Sequence, residues 1–429
     1  MRLLGNMKIV FFDNLANNAY NLAKIFRRQG YEADLLVDIS DTYPMSQPIW
    51  EDCSFTISTD LLKGKQFTRT FWIEKRFELK WEQPKWIMET CRSGRIRSLF
   101  KLLQHPHREF TLVGNILKYR SLFPCSFEQI RNNMNKYDVV IGFGLGPIYA
   151  CSASVPFIHY PYGGDLTVIP FQENAIGYLQ KKSLGKAKNI IVGDPGYLEY
   201  LRKLQIESRA AFLPFMIEPD IYKPISKNQA TKTLEPDLID RIQNKFTFFV
   251  PSRQDFYWKG SDKILVAFSK LVQQQNDVFL ILSGWGNDLQ KSKEMVSQLN
   301  LVDYTHFLPY IMSKKRLINF YGLVDVVIDQ FNLGAYGTST IEAMACGKPV
   351  IMNCDMNRYA PYFKELPPIL TATSTEEIYS QMVKLAEGRQ DICGEIGRKS
   401  REWIMEYHGV KNNFDRLIKL CEECVGEPK

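Results

Sequence analysis

The chain has 429 residues, more than one ordinary core holds, so two domains are the starting expectation. Its 45% apolar and 24% charged residues are those of a globular protein. The net charge is +7, but no recognisable nucleic-acid motif accompanies it, which sets nucleic acid aside as a partner. Nine scattered cysteines and no export signal point to a reducing, cytoplasmic setting. Five dispersed histidines show no zinc spacing, and Cys421-Glu422-Glu423-Cys424 is a lone pair of thiols, so no metal site is expected.

Lys8–Phe12 reads as a buried strand, and Asn17–Arg28 as a helix with Tyr20, Leu22, Ala23 and Phe26 on one side. Gly30 ends that helix, and Ala33–Val37 is the next strand. From Leu61 to Pro124 there are seven Lys, seven Arg and five Glu with no Asp, a net of +9, together with Trp72, Trp81 and Trp86. This basic, aromatic stretch suits an anionic membrane surface, or is the solvated face of an insertion. The uncharged run Val139–Gly164 is broken by Gly142, Gly144, Gly146, Pro147 and Pro156, so it reads as strands and turns and not as a membrane span. Gly142-Phe143-Gly144-Leu145-Gly146 lacks the spacing of a dinucleotide fingerprint. Strands at Asp138–Gly142, Val155–Ile158 and Asn189–Val192, with a helix near Glu173–Leu184, give the βαβ grammar of a parallel sheet.

A second series follows Pro214 and Pro224. Phe246–Val250 and Val278–Ser283 are strands around the amphipathic helix Asp262–Gln275, which turns Ile264, Leu265, Phe268, Leu271 and Val272 inward. Gly284-Trp285-Gly286 comes next, then a helix at Ser313–Tyr321, a strand at Val326–Ile328, a helix at Thr340–Ala345, a strand at Pro349–Met352 and a helix at Ser374–Glu387. Ligands of doubly wound sheets bind beyond the carboxyl ends of the strands, and two such domains direct attention to a cleft between them.

Two stretches carry chemistry. In the first, a loop with Gly334, Tyr336 and Gly337 feeds a helix N-terminus at Thr338 and Ser339, which is suited to phosphate. Glu342 has two local readings: Ser339-Thr340-Ile341-Glu342 matches a capping box, and the same acid can hold a ligand. In the second, Arg253 and Lys259 both lie in the loop after strand Phe246–Val250, either as ordinary surface or as a clamp for a diphosphate.

The combination Arg253…Lys259-Gly260-Ser261-Asp262, Gly284-Trp285-Gly286 and Gly337…Glu342-Ala343-Met344-Ala345-Cys346-Gly347-Lys348-Pro349 resembles the group 1 glycosyltransferases, a retaining family. The resemblance covers most of the C-terminal domain and is weaker before it. It implies an α/β protein of GT-B fold, two Rossmann-like doubly wound domains facing a central cleft. The N-terminal, acceptor-side domain is expected over 1–222 with the basic insertion around 61–124, and the nucleotide-sugar domain over 223–400. A C-terminal helix over 401–429 crosses back to the first domain. It further implies that Arg253 and Lys259 bind the diphosphate, that the Gly337–Ser339 turn binds the distal phosphate, and that Glu342 holds the ribose hydroxyls.

The sequence departs from that family at three places. Gly334 stands where many members carry an earlier glutamate that meets the donor sugar, leaving backbone or neighbours such as Asn332 and Tyr336 for that task. Tyr162-Gly163-Gly164-Asp165 stands where many have His-Gly-x-Asp; Asp165 either orients a substrate or caps the next helix. In the first loop, Asp13-Asn14-Leu15-Ala16-Asn17-Asn18 replaces a common Gly-Gly, and Asn17 either caps the helix or touches the acceptor.

The expected function is transfer of a hexosyl group from a nucleotide diphosphate sugar to a hydroxyl acceptor, with retention. The acceptor is a glycan or glycolipid of cell-surface synthesis, and the protein sits peripherally on the cytoplasmic face of a membrane. No Asp-x-Asp occurs, which fits neutralisation by cations and a helix dipole without a metal; the nucleotide sugar is a substrate and no cofactor is expected. An epimerase or hydrolase of the same architecture, and a non-catalytic nucleotide-sugar binder, remain as alternatives.

Overall fold

The computed structural model describes residues 7–38, 41–63, 67–90, 125–232 and 235–426. The chain forms two compact units, one of residues 1–51, 67–214 and 414–429, the other of 52–66 and 215–413.

The first unit begins with β1 (Lys8–Phe12) and helix α1 (Asn18–Arg28), then β2 (Glu32–Asp38). The next strand, β3 (Thr56–Ser58), belongs to the other unit. Helix α2 (Arg69–Glu78) and β4 (Ile87–Thr90) return to the first, followed by β5 (Val139–Phe143), β6 (Phe157–Tyr160), helix α3 (Ala175–Leu184), β7 (Asn189–Val192) and β8 (Ala210–Phe212). Among the described residues these strands form one parallel sheet in the order β4-β2-β1-β5-β6-β7-β8. The order reverses direction between β1 and β5. Ile9 to Phe12 and Val139 to Phe143 are fully covered, as central strands packed on both faces must be.

The second unit contains β9 (Phe246–Val250), helix α4 (Ser261–Gln274), β10 (Val278–Ser283), β11 (Thr305–Leu308), β12 (Tyr310–Met312) and helix α5 (Lys314–Leu323). Then come β13 (Val326–Ile328), helix α6 (Thr338–Ala345), β14 (Val350–Met352), β15 (Leu370–Thr371) and the long helix α7 (Thr375–Tyr407), which kinks at Arg389. Six of the strands form a parallel sheet, β11-β10-β9-β13-β14-β15, whose order reverses between β9 and β13. Ile264, Leu265, Phe268 and Leu271 of α4 enter its core, with Val272 packed alongside. α7 starts with a capping box between Ser374 and Glu377; hydrogen bonds from Thr373 and Ser374 hold the Glu377 carboxyl down at about 2.

The unit edges differ from the sequence-based boundaries for identifiable reasons. Residues 215–222 stay with the second unit because the Ile217 N–H bonds the His408 carbonyl and Arg401 bonds the carbonyls of Pro219 and Tyr222. Residues 52–66 join it because β3 pairs antiparallel with β12, Ile57 opposite Ile311. Helix α8 (Val410–Val425) enters the first unit at Phe414, whose ring meets Phe26 edge-on at 4.9 Å. The strand expected at Val155–Ile158 runs instead from Phe157 to Tyr160, in register with Val140 to Phe143.

In the basic stretch, Trp72 is buried and donates to the Thr42 carbonyl, and Trp86 stacks on Tyr20. Trp72 is therefore an interior residue, while Trp86 is half-buried against Tyr20. Arg92, Arg95, Arg97, Lys101 and the rest of 91–124 lie outside the described residues.

Candidate functional site

In each sheet the reversal of strand order opens a crevice at the carboxyl ends of two neighbouring strands. In the second unit those strands are β9 and β13, and the loops that follow them carry Arg253, Lys259 and the 329–339 stretch. Both stretches singled out in the sequence therefore meet at one switch point.

The two loops are laced together. Phe331 N–H bonds the Lys259 carbonyl, and the Asn332 amide donates to the carbonyls of Phe256 and Tyr257. The Lys259 ammonium lies 2.5 Å from Gln330 Oε1 and 3.9 Å from Asp329 Oδ1. The other oxygen of Asp329 accepts from the Thr340 hydroxyl inside α6, so the cation is fixed relative to that helix. Arg253 is aligned by its neighbour, Nε donating to Asp255 Oδ2 at 3.0 Å. The Gly284-Trp285-Gly286 turn braces this loop from the β10 side. Gln254 N–H bonds the Trp285 carbonyl, and a Cβ on Gly286 would stand 2.3 Å from the Gln254 oxygen. Only glycine lets the two backbones approach so closely.

α6 starts at Thr338 with Gly337 as its N-cap, in extended backbone and with no side-chain cap. The N–H groups of its first turn, at Thr338 and Ser339, thus have no side-chain cap, an arrangement suited to an anion. Nothing lies within 4 Å of where a Gly337 Cβ would be, so the approach is open. Gly334 has φ +67°, and the space its missing side chain leaves is bordered by Asp355 and Arg358. Tyr336 turns its ring inward, stacking on Tyr359 at 4.6 Å with its hydroxyl 3.2 Å from His408 Nε2; what it offers a ligand is backbone.

The capping-box reading of Glu342 does not hold. The helix begins earlier than the pattern implies, so Glu342 is its fifth residue, beyond reach of the cap, and it is buried. Its Oε1 accepts from the Lys314 ammonium at 2.5 Å, and its Oε2 is buried without a hydrogen-bond partner. Beside it, burial and the Glu342 charge keep the Tyr321 hydroxyl protonated, and that hydroxyl donates to the Ser339 carbonyl. Sequence reasoning missed Lys314, Asp329, Gln330 and Thr340. The one available signal was the run Lys314-Lys315-Arg316 at a helix start, where cations oppose the dipole.

In the first unit the switch lies between β1 and β5, and the loops there are tightly packed. Asp13, Ala16 and Asn17 all have positive φ, a concentration of strained backbone. The Asp13 carboxylate comes within 2.8 Å of a would-be Cβ on Gly144, and the Tyr162 hydroxyl donates to the Asp13 carbonyl. Asn14, not Asn17, supplies the helix cap: its Oδ1 accepts from Tyr20 N–H, three residues into α1 counting from Asn18. Asn17 is fully buried and bonds the Gln47 carbonyl and Asn14. Asp165 is also buried. Its Oδ1 accepts from the N–H groups of Tyr162 and Gly163, and its Oδ2 lies 3.2 Å from His159 Nε2. It holds the Tyr162–Gly164 turn in shape, with Gly163 at φ +134° and Tyr162 stacked on Phe143.

Cys421 and Cys424 are core residues of α8, their thiols pushed up by burial, that of Cys424 to about 12. Among the described residues no cluster of His, Cys, Asp and Glu is placed to hold a metal ion, and no helix is long and apolar enough to cross a membrane.

Comparison with known proteins bears on the same unit. Residues 239–366 match the family model for glycosyl transferases group 1. The chain is 24% identical over 196 residues to an alpha-monoglucosyldiacylglycerol synthase of Streptococcus pneumoniae, covering 46% of this chain and 43% of that protein. It is 24% identical over 176 residues to a D-inositol 3-phosphate glycosyltransferase of Saccharomonospora viridis, covering 39% and 40%. Each match thus spans less than half of the relative's length. Among solved structures, Anabaena HepE in complex with UDP-glucose superposes with a TM-score of 0.64 at 14% identity over 96% of this chain and 99% of that one. Sucrose-phosphate synthase from Thermosynechococcus elongatus gives 0.65 at 14% identity over 97% and 98%. The shared architecture is GT-B: two Rossmann-like units, each with a parallel, doubly wound sheet.

Proposed function

The C-terminal unit belongs to the group 1 glycosyltransferases, and from that premise we propose that this protein moves a sugar from a nucleoside diphosphate sugar to a hydroxyl acceptor. The observation that carries the reading is the convergence at the β9–β13 switch point. Lys259 is bonded to Gln330 and tied to α6 through Asp329, beside an uncapped helix N-terminus and a buried carboxylate with one unpaired oxygen. A nucleoside diphosphate answers all three. Its phosphates take the N–H groups of Thr338 and Ser339 and the charges of Lys259 and Arg253, and its ribose hydroxyls donate to Glu342.

In this reading the fixed cations and the helix dipole stabilise the diphosphate as the glycosidic bond breaks. They do the work that a divalent ion does in transferases built around Asp-x-Asp, so turnover continues in a chelator. The leaving phosphate accepts the proton of the acceptor hydroxyl on the face it vacates, and configuration is retained. A hexose is the sugar we expect, bordered by the Gly334 backbone, Asp355 and Arg358. The bound nucleotides of structural neighbours, UDP and UDP-glucose, make uridine the first base to try. The relative that makes a glucosyl-diacylglycerol lends weight to a glycolipid acceptor, as does the basic 61–124 stretch through its charge.

The test is thermal-shift binding across UDP, GDP, ADP and their sugars, for wild type, Glu342→Ala and Arg253→Ala, followed by an acceptor screen on the nucleotide that binds. Stabilisation by one nucleotide, lost in both variants, supports the site. Stabilisation equal in all three proteins, or none in folded protein, refutes it. Turnover of the donor without acceptor would identify the hydrolase or epimerase alternative.

A further inference from the structure

Lys314 starts α5 in defiance of local preference. The first turn of that helix holds Lys314, Lys315 and Arg316 and no acid, where the dipole favours the opposite charge. Arg316 is explained by the fold: it bonds Glu235, which also accepts from the Tyr310 hydroxyl. Lys314 instead reaches across 28 residues of sequence to Glu342 in α6. Its starting point is rigid, because the backbone just before it is paired with the β3 arm. Ser313 N–H bonds the Phe55 carbonyl, and Phe55 N–H bonds Ser313 Oγ.

The pair is lopsided. One oxygen of Glu342 is taken by the ammonium; the other is buried and makes no hydrogen bond of good geometry, the neighbouring Tyr321 hydroxyl donating to the Ser339 carbonyl instead. A buried carboxylate oxygen left without a well-placed donor is costly, and an incoming group that brings one relieves the cost. That group must bring hydroxyl or N–H donors and no negative charge of its own, which a ribose diol does and a phosphate does not. We propose that Lys314 is a positioning residue for the nucleotide's ribose: by holding Oε1 it fixes the carboxylate so that Oε2 receives the ribose hydroxyls. This rests on the donor-site reading above and adds to it a residue whose role is to aim Glu342, without touching the ligand's phosphates.

The experiment is calorimetric titration of whichever of UDP, GDP or ADP binds, beside its 2′,3′-dideoxy counterpart, with wild type, Lys314→Met, Lys314→Arg and Glu342→Ala. Circular dichroism melts confirm that each is folded. Wild type is expected to prefer the ribonucleotide by about tenfold or more, the scale of a hydrogen bond to a charged group. Lys314→Met should lose most of that preference while binding the dideoxy compound within about twofold of wild type, and Lys314→Arg should recover it in part. A merely structural role would weaken both nucleotides alike, and that result overturns the proposal. So does a preference in Lys314→Met equal to wild type. If Glu342→Ala removes the preference and Lys314→Met does not, only Lys314 is misassigned. If Glu342→Ala keeps it, or no nucleotide binds, the donor-site reading fails and takes this inference with it.

Discussion

His408 makes the second unit sensitive to acid, by an amount the structure allows to be worked out. The ring is fully enclosed, with Nδ1 at 2.7 Å from the Phe215 carbonyl and Nε2 at 3.2 Å from the Tyr336 hydroxyl. Those partners assign the proton to Nδ1, which donates to the carbonyl, while Nε2 accepts. Burial pushes the imidazole down to about 4, against its ordinary value near 6.5. The unfolded chain therefore binds a proton that the folded one refuses. Stability on this account is complete above about pH 6.5 and is lost as the pH falls towards 4. The full effect is about 3 kcal/mol, and about 2 kcal/mol of it is gone by pH 5. The perturbation is His408→Asn, which keeps a donor for the Phe215 carbonyl and cannot take a proton. Urea unfolding at pH 7.5 and pH 5.0 gives the stability of both proteins. Carboxylates that titrate in the same window do so in both and cancel in the comparison. The advantage of wild type over the variant should shrink by about 2 kcal/mol between the two pH values. An advantage constant to within about 0.5 kcal/mol would refute the assignment of a buried neutral imidazole.

Lys259→Met should weaken nucleoside diphosphate binding by about 1.5–3 kcal/mol, roughly 10- to 150-fold, the share of one charge-assisted hydrogen bond; calorimetry reads it, and an unchanged affinity removes Lys259 from the site. Gly286→Ala should cost about 2 kcal/mol or more, since its methyl would press on the Gln254 backbone at a φ of +125°, and a melting curve within error of wild type would contradict the close approach. Gly337→Ala should leave the melting curve within about 0.5 kcal/mol of wild type, because its new methyl meets open space, yet should lower nucleotide affinity by crowding the α6 turn. Asp165→Ala should destabilise the first unit by about 1–3 kcal/mol through the stranded N–H groups of Tyr162 and Gly163, and Asp165→Asn by less; loss of turnover with no loss of stability would instead make Asp165 a substrate contact.

The two switch points follow from elements that announce themselves. β5, β9 and β10 are buried on both faces, so they read as predominantly apolar runs. α4 shows its stripe because one side meets the core. What escaped notice was short or paired far away. β4, β8 and β15 have two to four residues each, too few for a pattern. The β3 arm is set by its partner: nothing in Thr56–Ser58 says that it will pair with a strand 250 residues later. Trp72 is a related case: its basic neighbours suggest surface, yet its ring is buried while the charged heads stay wet.

Glu342 shows where local rules stop deciding. Ser339…Glu342 and Ser374…Glu377 share one four-residue pattern, and only the second forms a capping box. Ser374 sits at the N-cap in extended backbone, exposed, with an uncommitted glutamate three residues on. At the first copy the extended N-cap position falls on Gly337, so the helix begins two residues before the pattern says it should. Ser339 is thereby drawn into the first turn, where its side chain can no longer cap. Glu342 moves to the inward face, and there a half-buried cation from a different helix wins over an exposed backbone N–H, since a charge-assisted bond in a poorly solvated site is the stronger of the two. The same shift strips the α6 terminus of any side-chain cap. One backbone choice at Gly337 thus leaves both the N–H groups of Thr338 and Ser339 and one oxygen of Glu342 without protein partners on a single helix. Their alignment along that helix, donors at the end and an acceptor one turn on, is the feature on which the proposed nucleoside diphosphate site rests.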